Sequence, residues 1–337
     1  MALSYSPIDV RGVAVSPILE QIYFANKTIA DNLVTFNDNI KAGSIFTEAG
    51  VSVTAQLYTG QALSSAGSLN ITDRMITPIK LEYKQTFLQE ALRNSRFNTT
   101  MKGGAWEIES SEFASTVLAM VGPAISQDAE TQFWSGITST TQTAIAGLTA
   151  GAGQGSITSA TKTAVAAMTP GSIDGVLSKV LYDNGALGQY IKVTGTTVTS
   201  ANIAAEYAKI YAAIPAENLE DTTSPTLIYA PRAHKQLMRI ANNSVGAAQQ
   251  INFLFDSASN DSKAYYNGVE VVFVPLPSDK VYAQRKAAIS WNTDLTDDIN
   301  KFEVGKLQAD ADVQFIRSIY TLAANVGQAS KGVLYGG

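Results

Sequence analysis

Residues 67–87 read GSLNITDRMITPIKLEYKQTF, and the second half of this stretch alternates between apolar and charged residues. The apolar positions are Ile79, Leu81 and Tyr83, and the charged positions between them are Lys80, Glu82 and Lys84. A repeat of two residues predicts a strand with one buried face and one solvent-exposed face. Another alternating run precedes a small, polar tip, so we predict a long hairpin over residues 44–87. A two-stranded hairpin is barely stable alone in water, and its buried face therefore needs a partner.

The composition is unusual in its low charge. Only 16% of the 337 residues are charged and the formal net charge is −5, whereas soluble proteins of this size carry about a quarter charged residues. A neutral surface is expected when much of it lies in protein interfaces, although a weakly charged globular protein would have the same composition. The basic residues are scattered, which argues against a dedicated nucleic-acid reader. No apolar run is long enough to predict a membrane span.

The sequence offers little material for catalysis or metal binding. It contains no cysteine and one histidine, so Ser-His, Cys-His and thiolate sites are not predicted. His234 lies in PRAHKQL, where we predict a surface or interface residue. The acidic residues Asp294, Asp297, Asp298 and Glu303 lack the spacing of a calcium loop and are interpreted as a solvated turn. We therefore predict no enzyme, no cofactor and no metal site.

The remaining segments form a recognisable order of elements. An extended start is followed by a predicted helix from Ser16-Pro17 with an apolar stripe as far as Ile40. A second long helix is predicted from Ser110 or Ser111 to Ser135, with a kink or break at Gly122-Pro123. Residues 138–169 are rich in Thr, Ser, Ala and Gly, and are interpreted as a loop or insertion, with a short hairpin as an option. Mixed helices and strands follow from residue 170, and a pair of long strands lies near the C-terminus.

This order resembles the major capsid proteins of tailed bacteriophages, whose Hong Kong 97-like fold is shared with encapsulin shells. The resemblance covers nearly the whole chain. The stretches that carry it are DAETQFWSGI at the end of the second long helix, TLIYAPRAHKQLMRI, YYNGVEVVFVPLP, AAISWNTDLTDDI and the tail from GKLQADADVQF onward. The fold implied is of the α+β class.

The resemblance also implies a division of the chain. In order, the parts are an N-terminal arm (1–43), an extension-loop hairpin (44–87), a peripheral domain with a long spine helix and the insertion (88–169), an axial α/β domain (170–290) and strands that return to the peripheral domain (291–337). The hairpin would lie across a neighbouring subunit. The residues expected at that intersubunit contact are Ile79, Leu81, Tyr83, Arg74 and Lys84.

The function implied is a capsid subunit of the virion that self-assembles into an icosahedral shell around double-stranded DNA. Its implied partners are other copies in pentamers and hexamers, a portal, a separate scaffolding protein and packaged DNA bound non-specifically, with no membrane. Some members join subunits through a Lys–Asn bond, but the hairpin tip from Thr59 to Thr72 has no lysine, so we predict no such bond. An encapsulin-like compartment is the main alternative. A surface-layer or tail protein is a further alternative, although we find no internal repeat.

Overall fold

The computed structural model describes residues 8–10, 26–41, 43–53, 67–88, 111–151, 155–244, 253–255, 263–294, 301–307 and 310–336. Its helices, α1 to α8 in chain order, are Lys27–Ala30, Ser111–Ser135, Ser139–Gly147, Ser159–Ala166, Val176–Leu187, Ile203–Ala213, Ala216–Glu220 and Arg232–Ser244. Its strands, β1 to β15, are Ile8–Val10, Thr35–Asn37, Ser44–Val53, Gly67–Ile76, Ile79–Leu88, Ile191–Val193, Thr226–Pro231, Leu254–Phe255, Lys263–Tyr266, Val269–Val274, Val281–Arg285, Ile289–Asn292, Lys301–Leu307, Asp310–Val326 and Val333–Tyr335.

The first sheet is organised by the long strand β14. The strand order is β1-β13-β14-β12-β2, and β5 also pairs with β14. The first part of β14 lies between β13 and β5, both antiparallel to it, whereas its last four residues pair with β12. A strand of 17 residues therefore joins β5, from the first third of the chain, to β12 and β13 near its C-terminus.

The second sheet has seven strands in the order β6-β15-β11-β7-β10-β9-β8. Its central strand β7 is buried along its whole length, as expected for a strand covered on both faces. The short strand β15 near the C-terminus lies inside this sheet, between β6 and β11. The segment predicted to return to the peripheral domain thus contributes β14 to the first sheet and β15 to the second.

The second sheet separates two hydrophobic cores. Along β7, Leu227 and Tyr229 face one core, whereas Ile228 and Ala230 face the other, in the alternation that a strand imposes. The first core lies between this sheet, helices α2 and α5, and the first sheet. The second core is formed by α6 and α8 on the opposite face.

A polar network is embedded beside the first core. Glu130 of α2 is 4% exposed, and its two carboxylate oxygens accept hydrogen bonds from the Thr28 hydroxyl (2.7 Å) and from Arg232 Nη2 (2.5 Å). The Thr28 hydroxyl in turn accepts a hydrogen bond from Trp134 Nε1 at 2.8 Å. The turn α1, the long helix and the start of α8 are thereby joined.

The long helix confirms one prediction and corrects another. Helix α2 runs from Ser111 to Ser135 as expected, but it continues through Gly122-Pro123 without the predicted break. Pro123 is exposed, while Ile125, Phe133 and Trp134 beyond it are buried. Proline has no backbone N–H group and so removes one helical hydrogen bond. The helix remains continuous because the residues after Pro123 are packed in the core.

The predicted first helix is wrong over residues 26–41, and residues 16–25 lie outside the described part of the chain. Only one helical turn forms at Lys27–Ala30, followed by the strand β2. Asn32 and Asn39 adopt positive φ values of 51° and 60°, which a helix cannot accommodate. The chain then extends because Thr35–Asn37 pairs with β12 in parallel.

The interpretation of residues 138–169 as a loop is also wrong, because two short helices, α3 and α4, occupy this segment. Thr138 and Thr158 cap them by accepting hydrogen bonds from the backbone N–H groups of Thr141 and Thr161. Ile145 and Val165 anchor the helices in the first core. The threonine-rich composition does not predict helices. These two helices are stabilised by their threonine caps and by the burial of Ile145 and Val165.

The prediction that His234 is a surface or interface residue is wrong, because the side chain is 1% exposed within the chain itself. Its Nε2 lies 2.8 Å from the carbonyl oxygen of Ser278, which can only accept, so Nε2 carries the proton. Nδ1 is then free to accept from the Tyr207 hydroxyl at 3.0 Å. Burial lowers the pKa of His234, and this outweighs the opposing effects of the Ser278 carbonyl and of Asp279.

We predict that His234 makes the fold sensitive to mild acid. Because its folded pKa is depressed, its contribution to stability is complete above about pH 6.5 and is lost as the pH falls through the folded pKa, with a slope of at most about 1.4 kcal/mol per pH unit. Chemical denaturation between pH 7.5 and 5 should show this loss. The variant His234→Gln has no titrating imidazole and should show a flatter profile. Parallel profiles would contradict the prediction.

Candidate interaction surface on the extension hairpin

The hairpin consists of β3 and β4, paired from Ser44 opposite Ile76 to Val53 opposite Gly67. These two strands form a sheet of their own, with no third strand among the described residues. The hairpin is therefore a thin ribbon whose two faces must each find cover or remain in solvent.

One face of the ribbon carries large apolar side chains in solvent. Ile45 lies directly opposite Met75, and Ile71 lies four residues before Met75, so the alternation of a strand places all three on the same face. Their exposed fractions are 66%, 72% and 57%. We call these three residues the hairpin outer face. Thr47 and Asp73 form the cross-strand pair between them.

The opposite face is fixed to the rest of the chain at the base of the hairpin. Arg74 Nη1 forms an ion pair with Asp183 Oδ2 at 2.6 Å, and Arg74 Nη2 donates to Gln189 Oε1 at 3.2 Å. Both side chains of the ion pair are mostly buried, and Ile76 at the end of β4 is 5% exposed. The ribbon therefore has a fixed base, while the described residues leave the hairpin outer face largely exposed.

A cavity of about 420 Å³ lies at this base, between the hairpin, α3 and α5. Asp174 in its wall accepts hydrogen bonds from the Thr138 backbone N–H and the Thr141 hydroxyl, both at 2.8 Å. Lys179 donates to the carbonyl of Ala324 at 2.5 Å. Burial lowers the pKa of Lys179, against the opposing effects of Asp174 and Asp183. The charges around the cavity are of both signs and are held by neighbouring groups.

Strand β5 is not part of the hairpin. It pairs with β14, from Ile79 opposite Leu322 to Leu88 opposite Val313. Leu81 is 8% exposed and belongs to the first core, and Tyr83 packs against the same core. The prediction that Leu81 and Tyr83 face a neighbouring subunit is therefore corrected: their face is buried by the chain itself.

The predicted alternation on β5 is confirmed. Lys80, Glu82 and Lys84 are exposed, and Glu82 forms an ion pair with Arg317 of β14 at 2.5 Å. Ile79, at the start of the strand, is 41% exposed. For Ile79 and Lys84 the contact with a neighbour stays a prediction, whereas Arg74 is engaged within its own subunit.

Sequence reasoning missed the hairpin outer face. The signal was weak, because neither SIFTE nor ITDRM alternates strictly between apolar and polar residues, whereas the apolar-charged run of β5 is regular. Which residues of two strands share a face also depends on their register, and register is fixed by the turn. The residues that connect the two strands, 54–66, lie outside the described part of the chain.

The described residues contain no group of three or more acidic or histidine side chains that could hold a metal ion. None of the helices in these residues is long and apolar enough to cross a membrane.

Several solved structures resemble the whole chain. The capsid of a native GTA particle is 11% identical with a TM-score of 0.57, over 99% of this chain and 95% of that one. A procapsid of satellite phage P4 that includes the size determination protein Sid is 13% identical with a TM-score of 0.53, over 99% and 92%. The capsid of the Myoviridae phage XM1 is 10% identical with a TM-score of 0.51, over 91% and 90%.

No protein-family model and no curated protein match the sequence. At these identities the likeness shows the fold. The chain has the α+β fold of phage capsid structures, and the Hong Kong 97-like fold predicted from the order of elements is confirmed at the level of the whole chain.

We predict that Leu81→Ala destabilises the subunit itself. The substitution removes a buried leucine from the first core, which typically costs about 2–5 kcal/mol. The melting temperature followed by circular dichroism should fall clearly. Lys80→Ala, at the exposed neighbouring position, is the control and should melt like the wild type. An unchanged melting temperature for Leu81→Ala would contradict the placement of β5 in the subunit core.

Proposed function

We propose that this chain is the major capsid protein of a tailed bacteriophage, a structural rather than an enzymatic role. In this role, copies of the chain assemble into a closed icosahedral shell that encloses double-stranded DNA. The observation that carries the proposal is a fold shared over almost the entire chain with capsid structures, in a subunit whose hairpin has an uncovered apolar face.

The hairpin outer face supplies the driving force for assembly in this proposal. Covering a large apolar side chain is worth roughly 1.5–3 kcal/mol. Ile45, Ile71 and Met75 are largely exposed in the single subunit, so a neighbouring copy gains from covering them. The same contact recurs in every subunit of a closed symmetric shell, which makes a modest gain per copy large for the particle.

The proposed partners follow from the same role. Other copies of the chain form pentamers and hexamers, with the domain that contains the second sheet around their axes. A portal occupies one vertex, and a separate scaffolding protein guides assembly. Packaged DNA contacts the inner surface without sequence preference, which suits a chain with a net charge of −5 and no concentrated basic stripe in its sequence. The protein is then located in the capsid of the virion.

The experiment is expression of the full chain alone and with a candidate scaffolding protein, followed by light scattering and electron microscopy. We expect capsomers or closed shells. A stable monomer of 35.8 kDa under both conditions would overturn the proposal. Closed particles that carry a protein cargo and no DNA when isolated from their native host would instead favour the encapsulin-like alternative.

We predict that Ile71→Asp blocks shell formation without unfolding the subunit. The change places a charge in a face that a neighbour must cover, and a buried unpaired charge is costly. Residue 71 is 57% exposed in the subunit, so circular dichroism and melting should be close to those of the wild type. Thr77→Asp adds the same charge at an exposed site between β4 and β5 and should still assemble. Normal shells from Ile71→Asp would show that this face is not an intersubunit contact.

A further inference from the structure

Arg74 holds the base of the hairpin by two separate nitrogens. Nη1 contacts Asp183 within α5, and Nη2 contacts Gln189 just beyond the end of that helix. A planar guanidinium held at two points fixes direction as well as distance, which a single ammonium group does not. The ion pair is 18% and 12% exposed at its two side chains, so solvent and salt screen it weakly.

The hairpin amplifies any change at this base. Each strand has ten residues, so the ribbon extends about 33 Å at about 3.3 Å per residue, and a tilt of about 10° at the base displaces its far end by about 6 Å. A contact with another subunit tolerates no such displacement, because apolar side chains must meet within about 4–4.5 Å.

We infer that Arg74 is a positioning residue for assembly, which sets the direction in which the hairpin leaves the subunit through Asp183 and Gln189. This inference rests on the proposed function. The sequence-based prediction placed Arg74 at the neighbouring subunit, whereas the geometry assigns it a role inside its own subunit. The hairpin outer face makes the contact with the neighbouring copy, and Arg74 fixes the orientation of the hairpin.

A double-mutant cycle tests this role. Arg74→Ala and Asp183→Asn should each lower the fraction of subunits in shells several-fold, and the double variant should be no worse than the more severe single variant, because both changes break one link. Arg74→Lys keeps the charge but loses the two-point hold, so it should restore part of the assembly. Lys41→Ala removes an exposed positive charge just before the hairpin and should assemble normally. Melting by circular dichroism accompanies each variant.

The outcomes separate the two proposals. If the wild type forms no shells, the proposed function fails. If the wild type assembles and Arg74→Ala does so equally well, only the positioning role fails. Additive losses in the double variant, or equal losses with Arg74→Lys and Arg74→Ala, would also overturn it.

A second, independent observation concerns helices α3 and α4. Residues 137–151 read ITSTTQTAIAGLTAG, and residues 157–171 read ITSATKTAVAAMTPG. Nine of these fifteen aligned positions are identical: Ile137, Thr138, Ser139, Thr141, Thr143, Ala144, Ala146, Thr149 and Gly151. The sequence therefore does contain an internal repeat, contrary to the first interpretation.

The hydrogen bonds between the two copies are reciprocal. Gln142 Nε2 donates to the Met168 carbonyl at 3.0 Å, and Lys162 Nζ, at the equivalent position of the other copy, donates to the Leu148 carbonyl at 2.6 Å. Leu148 and Met168 are themselves equivalent. The backbone follows the same rule, since Gly171 N donates to Ile137 O and Gly151 N donates to Ile157 O, at 2.7 and 3.0 Å. Each of these four contacts has a mate with the copies exchanged, as in a two-fold interface. The further hydrogen bonds from Gln142 to the carbonyls of Val165 and Ala166 have no such mate.

We infer that residues 137–171 arose by tandem duplication of one helical unit and form an internal pseudo-two-fold pair. The two copies now bind different groups at equivalent threonines. The Thr141 hydroxyl donates to Asp174 beside the hairpin cavity, at 2.8 Å. The Thr161 hydroxyl donates to the Gly336 carbonyl after β15, at 3.1 Å. The pair thus links the wall of the cavity at the hairpin base to the backbone just after β15.

Exchange of the two linking residues tests the duplication. If the positions are equivalent, the double exchange Gln142→Lys/Lys162→Gln keeps both links and should melt close to the wild type. Gln142→Ala/Lys162→Ala loses both links and should melt clearly lower. Equal destabilisation by the exchange and by the alanine pair would overturn the inference, as would no destabilisation by the alanine pair.

Discussion

The body of the subunit depends on the burial of one carboxylate, that of Glu130. A buried charge is tolerated only when its oxygens are paired, and here the partners come from two distant segments, Thr28 before the hairpin and Arg232 at the start of α8. Trp134, one helical turn further along α2, donates to the same threonine. Because each group needs the others in place, the N-terminal turn, the long helix and the second sheet are fixed relative to one another.

From this fixed body the hairpin extends with two different faces. The face towards the body makes its contacts within the chain: Arg74 forms an ion pair with Asp183, and Ile76 is buried. The other face leaves Ile45, Ile71 and Met75 in solvent. The chain therefore completes its own core but leaves an apolar face of the hairpin in solvent, as the proposed role in an assembly requires. The low charge content of the sequence agrees with such a surface.

The helix pair connects these two parts of the molecule. The Asp174 carboxylate accepts a hydrogen bond from the Thr141 hydroxyl beside the cavity at the hairpin base. The Gly336 carbonyl, just after β15, accepts a hydrogen bond from the Thr161 hydroxyl. Buried Lys280 also donates to Thr161 at 2.7 Å and therefore belongs to the same end of the pair. The two copies thus place equivalent threonines at two separate attachment points.

The sequence by itself determined the burial pattern of β5 and the extent of α2. The alternation at 79–84 predicted the strand β5 and its exposed charges, and the apolar positions with their serine start predicted α2 to its last residue. The whole order of elements was enough to identify the fold. These features depend on local periodicity and end signals, which each segment carries in its own residues.

Only the tertiary structure decided what covers those faces. Leu81 lies opposite Tyr320, more than two hundred residues away, and no local pattern specifies such a partner. His234 is buried because Tyr207 and Ser278 converge on its ring, although the charged residues Arg232 and Lys235 lie close to it in sequence. The threonine-rich helices form because of caps and a distant core. The periodicity of a segment indicates that one of its faces is buried. Which residues cover that face depends on strand register and on packing between distant segments, and these are fixed only when the chain folds.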